Sequence, residues 1–257
     1  VPDAAWTAID DTATQVLRSH LSARAVVDFD GPHGWDFAAL SLGRVAPSAK
    51  GQKGSVSWAA REVLPLIELY EPFALSHHVL QDLARGAKDA DLGPVEEAAR
   101  RIAAFEEQVI YGGLPAAHIE GIIEAANSEA IPLKTEAEVF AQAVGHGVNT
   151  LKFAGIGGPY ALVLGTDAYK ALNQVTRSGQ SLEQVIERVT GGHVLWSPAI
   201  GGGVLVSTRG GDFELTIGQD LAIGYARHDA DAVELFFTET LAFRVLEPAA
   251  AIELRKA

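Results

Sequence analysis

A long extended segment near the N-terminus constrains the fold of this chain more than any other feature. Residues 37–73 are predicted to be extended on both sides of the polar, Gly- and Pro-containing run 47–54, which we expect to form a flexible tip. The segment therefore predicts a two-stranded arm. Because a two-stranded hairpin is only marginally stable in water, and because an arm of this length has no obvious cover in its own domain, we expect a neighbouring subunit to cover it.

Helical periodicity marks two long helices. Apolar side chains recur at helical spacing from Trp6 to Leu21, and Asp3 is the predicted N-cap of a helix that ends near Arg24. The second helix is predicted at Pro94–Ile110 and would be about 27 Å long. Further along the chain, Tyr160–Leu164 is predicted to be a buried strand, and Ser181 with Gln184 is predicted to start a helix. Helices and strands follow one another without regular β-α-β repeats, which indicates the α+β class.

A strand-forming region lies at 204–225. Apolar and polar residues alternate on both sides of Arg209–Asp212, whose two central glycines tolerate positive φ. The pattern predicts two strands joined as a hairpin. Since the run contains no nucleophile, metal-ligand spacing or phosphate-binding loop, we interpret it as a structural joint.

The charge balance argues against a nucleic-acid partner. The chain has 33 acidic and 20 basic side chains, a formal net charge of −13, and no dense cluster of Lys and Arg. It has no cysteine, which excludes disulfides and thiolate metal sites. No apolar stretch is long enough to span a bilayer and no signal peptide is recognised, so we expect a cytoplasmic protein with no membrane partner. The chain contains no Met, even at position 1, so we expect that the natural N-terminus was processed, was cut back or is missing from this chain.

Catalytic and metal-binding patterns are weak throughout. The side chains of His77–His78 would diverge on a helix, so a surface or interface role is favoured. Glu96–Glu97 and Glu106–Glu107 lack a histidine-bearing partner helix and are interpreted as a solvated charged face. Gly155–Gly158 follows a helix and precedes a strand, the reverse of a dinucleotide loop. We predict no catalytic residue, no metal site and a structural role.

Several short motifs, collinear over essentially the whole chain, match those of one protein family. The longest is Arg209–Tyr225, and the others are Ala5–Trp6, Gly31–Trp35, Leu64–Leu66, Gly158–Tyr160 and Thr238–Phe243. In their order and spacing these motifs resemble family 1 encapsulins, the linocin-like shell proteins.

The resemblance implies the HK97 phage-capsid fold and a large icosahedral homo-oligomer, with the smallest (T=1) shell expected. Family shells enclose a cargo protein, typically a ferritin-like iron-storage enzyme or a dye-decolourising peroxidase that serves in oxidative stress. The cargo docks through a C-terminal targeting peptide. Two alternatives stay open: a prophage-type HK97 major capsid protein, against which the acidic balance argues, and an enzyme or secreted bacteriocin-like protein, which no catalytic constellation supports.

By the same resemblance the chain divides into a lumen-facing helix, P-domain parts, an E-loop arm and an A-domain. The predicted ranges are 1–24 for the helix, 25–44, 74–113 and 220–257 for the P-domain, 45–73 for the E-loop and 114–219 for the A-domain.

The resemblance also implies a groove for the cargo peptide between the first helix and the P-domain. Apolar residues there would bind the Leu and Ile side chains of the peptide, and an acidic residue would bind a Lys or Arg. Ordinary core packing is the alternative for each residue. The predicted groove residues are Ile9, Leu17, Leu21 and Asp28.

A polar loop in the predicted A-domain would surround a five-fold pore for ions and small solutes, with a plain surface loop as the alternative. Its residues are Arg177, Ser178, Gly179 and Gln180.

Some family members bind a flavin beside an aromatic residue in the stretch that matches Ser76–Leu80. Here that position holds His78, and Tyr70 replaces a basic residue upstream. We therefore expect no flavin and no other cofactor.

Overall fold

The computed structural model of the protein describes residues 1–173, 176–177 and 180–256. The helices are α1 Asp3–His20, α2 His77–Ala84, α3 Gly93–Gly112, α4 Ile122–Ala125, α5 Ala137–Phe153, α6 Thr166–Asn173 and α7 Leu182–Thr190. The strands are β1 Asp28–Asp30, β2 Ala39–Lys53, β3 Val56–Pro65, β4 Ile67–Ser76, β5 Ile131–Leu133, β6 Tyr160–Leu164, β7 Thr176–Arg177, β8 Gln180–Ser181, β9 Val194–Trp196, β10 Gly203–Ser207, β11 Phe213–Ile217, β12 Ala222–His228, β13 Ala232–Val245 and β14 Ala251–Lys256.

The first sheet is organised around β13, the longest strand that it contains. β13 pairs antiparallel with β4, β12 and β11, and β1 adds to β11 in parallel. The long helix predicted at Pro94–Ile110 is confirmed as α3, which packs against β4, β13 and α1. The apolar stripe of α3 is buried in the core, at Val95, Ala98, Ala99, Ile102, Val109 and Ile110.

The second sheet has the order β5-β14-β10-β6-β9 and is flanked by α5, α6 and α7. Its central strands β6 and β10 are buried along their whole length, as the sequence predicted for Tyr160–Leu164. The last strand, β14, pairs with β10 and β5 here. The range 220–257, predicted to belong to the P-domain, therefore contributes β12 and β13 to the first sheet and β14 to the second.

The chain passes between the two sheets at Arg209–Asp212. Gly210 and Gly211 adopt φ values of +84° and +82°, which favour glycine. The predicted turn is present, but the predicted hairpin is wrong: β10 pairs with β6 and β14, whereas β11 pairs with β13 and β1. Arg209 and Asp212 close the turn with an ion pair of 2.8 Å.

The extended arm is formed by β2 and β3, an antiparallel pair joined by a tight turn at Gly54. It differs from the predicted arm at 45–73, because β4 leaves the hairpin and pairs with β13 over ten residues. Most of β3 is exposed, including the apolar side chains of Val56 and Trp58. Of the residues predicted as a flexible tip, 47–53 lie in β2 and Gly54 lies in the turn.

The first helix is shorter than predicted. α1 begins with Asp3 inside the helix, after Pro2 as the N-cap residue, and it ends at His20. A single 3₁₀ turn, Ala23–Ala25, then leads to β1. Across the described ranges, no helix is long and apolar enough to cross a membrane.

Candidate functional site

A groove lies along the C-terminal half of α1, where the helix meets the loop between β11 and β12. Its volume is about 510 Å³. Half-buried leucines line it on both sides, and charged groups stand among them. The lining residues are Thr14, Leu17, Arg18, Leu21, Arg24, Ala25, Asp220 and Leu221.

Arg24 links this groove to the interior of the protein. Its guanidinium donates two hydrogen bonds to the Glu106 carboxylate, at 2.8 and 2.9 Å. It also donates to Glu239 Oε1 at 2.5 Å and to Asp220 Oδ1 at 2.9 Å. Glu106 and Glu239 are fully buried, whereas the side chain of Asp220 is 41% exposed. One arginine thus holds α3, β13 and the groove-forming loop together.

Glu107 holds the turn that follows α1, residues 22–25, through a second set of hydrogen bonds. Its Oε1 accepts a hydrogen bond of 2.6 Å from the Ala23 amide, and its Oε2 accepts one of 2.5 Å from Ser22 Oγ. The Tyr111 hydroxyl lies 2.9 Å from Ser22 Oγ. Consecutive residues of α3 therefore fix consecutive residues of the turn that follows α1.

Burial shifts the protonation of this cluster. Burial raises the pKa of Glu107 to about 7, although hydrogen bonds from Ser22, Ala23 and Ser197 oppose the shift. Burial, followed by the nearby Glu106, raises the pKa of Glu239 well above its usual range. Among the described residues Glu239 Oε2 is buried without a hydrogen-bond partner, and a buried oxygen without a partner costs less free energy on a neutral carboxyl than on a carboxylate. Burial lowers the pKa of Arg24, but the hydrogen bond and charge of Glu106, followed by the effects of Glu239 and Asp220, outweigh burial, so that the pKa is raised and the guanidinium stays charged.

The interpretation of Glu106–Glu107 as a solvated charged face is wrong, since both side chains are completely buried. Glu96–Glu97 fit it better, because they lie toward solvent near Arg100 and Arg101. Sequence reasoning also missed Arg24, Asp220 and Glu239 as members of a polar cluster.

The structure separates the four predicted groove residues. Leu17 and Leu21 line the groove together. Ile9 is fully buried in the core that α1 shares with α3, where a docked peptide has no access to it. Asp28 lies outside the groove, and its Oδ2 accepts a hydrogen bond of 2.6 Å from the Gly211 amide. The acidic side chain in the groove is Asp220.

Of the predicted pore loop, Arg177 is the last residue of β7 and Gln180 is the first residue of β8, and the two pair with each other. Ser178 and Gly179 lie outside the described residues. Ser181 caps α7 by accepting a hydrogen bond from the Gln184 amide, as the sequence predicted.

The described residues include no cluster of three or more His, Asp or Glu with metal-binding geometry. His77 contacts the Asp229 carbonyl at 2.9 Å, and His78 is exposed. The ring of Tyr70 is stacked on Phe236 of the same chain, with ring centroids 4.6 Å apart.

Comparison with known sequences gives a consistent result. The family model described as "Encapsulating protein for peroxidase" (Linocin_M18) matches residues 1–242. A type 1 encapsulin shell protein of Rhodospirillum rubrum is 44% identical over 257 residues, covering 98% of this chain and 92% of the relative. The type 1 encapsulin shell protein of Rhodococcus erythropolis is 40% identical over 251 residues, covering 98% and 95%.

Comparison with solved structures shows the fold. A virus-like particle from Pyrococcus furiosus matches with a TM-score of 0.70 and 14% identity, covering 96% of this chain and 98% of that one. The capsid of Myoviridae phage XM1 matches with a TM-score of 0.60 and 10% identity, covering 92% of each. The fold is thus HK97-like. Because the shell proteins share high identity and the phage capsids share the fold alone, the chain belongs to the family of type 1 encapsulin shell proteins.

Proposed function

We propose that this shell protein closes into the smallest (T=1) icosahedral compartment, in the cytoplasm, and that the compartment encloses a cargo enzyme. The observation that supports assembly best is the arm. β2 and β3 pair with each other, and Val45, Val56, Trp58 and Val63 expose between 47% and 65% of their surface. Isolated apolar residues on a surface are ordinary, but four on one two-stranded hairpin fit a surface that a second copy covers.

Particle size tests the assembly proposal. About sixty subunits of 27.1 kDa would give a particle of roughly 1.6 MDa. Light scattering coupled to size exclusion should find this mass, and electron microscopy should find hollow particles with icosahedral symmetry. A larger uniform shell would contradict the T=1 proposal, and a monomer or dimer would contradict assembly. An absorbance spectrum dominated by nucleic acid would instead support a genome-packaging capsid.

The groove beside α1 supports cargo docking. Leu17, Leu21 and Leu221 offer an apolar surface to an extended peptide, while Arg18 and Asp220 offer charges of both signs. An extended segment with alternating Leu or Ile and charged residues suits such a surface. The matching family is described as encapsulating a peroxidase, which supports a peroxidase as cargo, and a ferritin-like iron-storage enzyme is the other candidate class.

Leu17→Asp and Leu21→Asp should each lower cargo loading about tenfold or more, because each removes an apolar contact worth about 1.5–3 kcal/mol. Co-purification of shells with a reporter that carries the native cargo's C-terminal peptide measures this effect. Gln15→Asp is the matched control, since Gln15 is exposed on α1 away from the groove. Equal loading in all variants would count against the groove.

We further propose that the shell carries no flavin, on the basis of the environment of Tyr70 and the exposed position of His78. Purified shells should lack the visible absorption bands of a flavin. Bands that persist through gel filtration would contradict this proposal.

A further inference from the structure

The turn that follows α1 is held by carboxyl groups that have little compensating charge. Glu106 and Glu107 are consecutive and fully buried, and Glu239 approaches them from β13. Within the described residues, Arg24 is the one cation that forms ion pairs with Glu106 and Glu239. Full ionisation of the cluster would therefore leave several negative charges against a single positive charge.

Among the described residues, the groups that face this cluster come from the turn after α1, the loop between β11 and β12, α3 and the segment after β9. The turn contributes Arg24, and the loop between β11 and β12 contributes Asp220. α3 contributes Tyr111 beside the two glutamates, and burial raises the pKa of this phenol well above its usual range. Ser197, which follows β9, is a neutral neighbour of Glu107. His20, at the end of α1, instead packs its ring on Trp196, with centroids 5.3 Å apart.

We propose that Glu106, Glu107 and Glu239 form a proton-dependent clamp, which holds the C-terminal end of α1 and its groove on α3 and loosens as the pH rises above neutrality. In the protonated state Glu107 and Glu239 are neutral, so Glu106 and Asp220 share Arg24 without competition. When the protons leave, the new charges repel Glu106 and compete for the same guanidinium. Residues 22–25 form a single turn that is joined to α3 through Glu106 and Glu107. We therefore expect this turn to loosen first when the carboxyl groups repel one another.

The direction of the effect follows from linkage. Folding raises the pKa of Glu107 above that of an unfolded glutamate, so the folded state favours the protonated form. The resulting stability is complete below the ordinary pKa of about 4.5 and is lost as the pH rises through about 7. The raised pKa of Glu239 acts in the same direction. The clamp is a property of one subunit, goes beyond cargo binding, and does not depend on what the groove binds.

Hydrogen–deuterium exchange of cargo-free shells tests the proposal. Protection factors, corrected for the intrinsic rate, are measured at about pH 6 and about pH 9 for peptides that cover residues 14–25. We expect a loss of about tenfold or more in these peptides, with a midpoint near pH 7 and with unchanged protection in β6. The double variant Glu107→Gln/Glu239→Gln mimics the protonated clamp and should be protected equally at both pH values.

Two controls define the result. Glu97→Gln removes an exposed glutamate from the same helix, and His20→Gln removes the histidine of α1; both should keep the wild-type loss. If the double variant does not fold, Glu107→Gln alone should move the midpoint to higher pH. Equal wild-type protection at both pH values would overturn the proposal, as would a loss that the glutamine variants retain or one that follows shell dissociation and affects β6 equally.

Discussion

Replacing Arg24 with methionine is expected to lower the free energy of unfolding by about 3–5 kcal/mol, the range for a buried ion pair that loses one partner. The side chain of Arg24 is 20% exposed and its carboxylate partners Glu106 and Glu239 are fully buried. Methionine fills a similar volume but leaves those carboxyls without a cation. Denaturant unfolding, followed by tryptophan fluorescence under conditions in which wild-type shells unfold reversibly, measures the difference.

Arg101→Met provides the matched comparison. The Arg101 side chain is 53% exposed and pairs with Glu71 at 2.6 Å, so its removal should cost less than about 1 kcal/mol. The deficit of Arg24→Met should also shrink on acidification, because protonated carboxyls no longer need the guanidinium. Equal destabilisation by the two substitutions, or a deficit that grows as the pH falls, would show that the buried network is not what stabilises the turn.

Removing the outer part of the arm should abolish shell assembly without unfolding the subunit. In this variant a Gly-Ser turn replaces residues 45–61, which lie in β2, in β3 and in the turn between them. The first and second sheets do not include this hairpin, so their packing should remain. A stable protein–protein interface buries about 1,200–2,000 Å², and loss of an extended arm removes a large share of such an area.

Light scattering and negative-stain microscopy should find small oligomers, while circular dichroism should stay close to that of the wild type. A finer variant, Val56→Ser/Trp58→Ser, removes apolar surface from the arm and should weaken assembly. Ser57→Ala is its control, because Ser57 lies on the opposite face of the same strand. Normal shells from the shortened chain would show that the arm is not a subunit contact.

The structure explains why the sequence misled at Glu106 and Glu107. Both lie on the buried stripe of α3: Glu106 lies four residues from Ile102 and from Ile110, and Glu107 lies four residues from Ala103. Phe105, although it is apolar and lies on the same helix, is 39% exposed. The helical period of the apolar residues therefore already indicated that both glutamates are buried. The sequence nevertheless favoured positions in solvent for them, because glutamate is a charged residue type.

The burial of Glu239 was also indicated by the alternating pattern of its strand, β13. Phe237 and Leu241, two residues away on either side, are buried on the same face, and the period of two places Glu239 with them. An ionisable residue at a core position of a strand requires a hydrogen-bond partner, and Arg24 is that partner of Glu239. The glutamate at a core position was visible in the sequence, whereas the identity of its partner was not.

The sequence by itself determined the local elements, which depend on short-range periodicity and capping. It predicted α3, the cap of α7 at Ser181, the buried strand β6 and a glycine turn at Arg209–Asp212, because neighbouring residues settle each of these. Its motifs, taken in order, also identified the family.

Only the tertiary structure decided the pairing of those elements. Arg24 lies 82 residues from Glu106 and 215 residues from Glu239, so no local pattern could bring them together. For the same reason the strands on either side of Gly210 enter different sheets, and Asp28 binds the Gly211 amide instead of facing the groove. Long-range burial selects such partners, since a strand or an ion pair is stable only where the whole fold removes it from water.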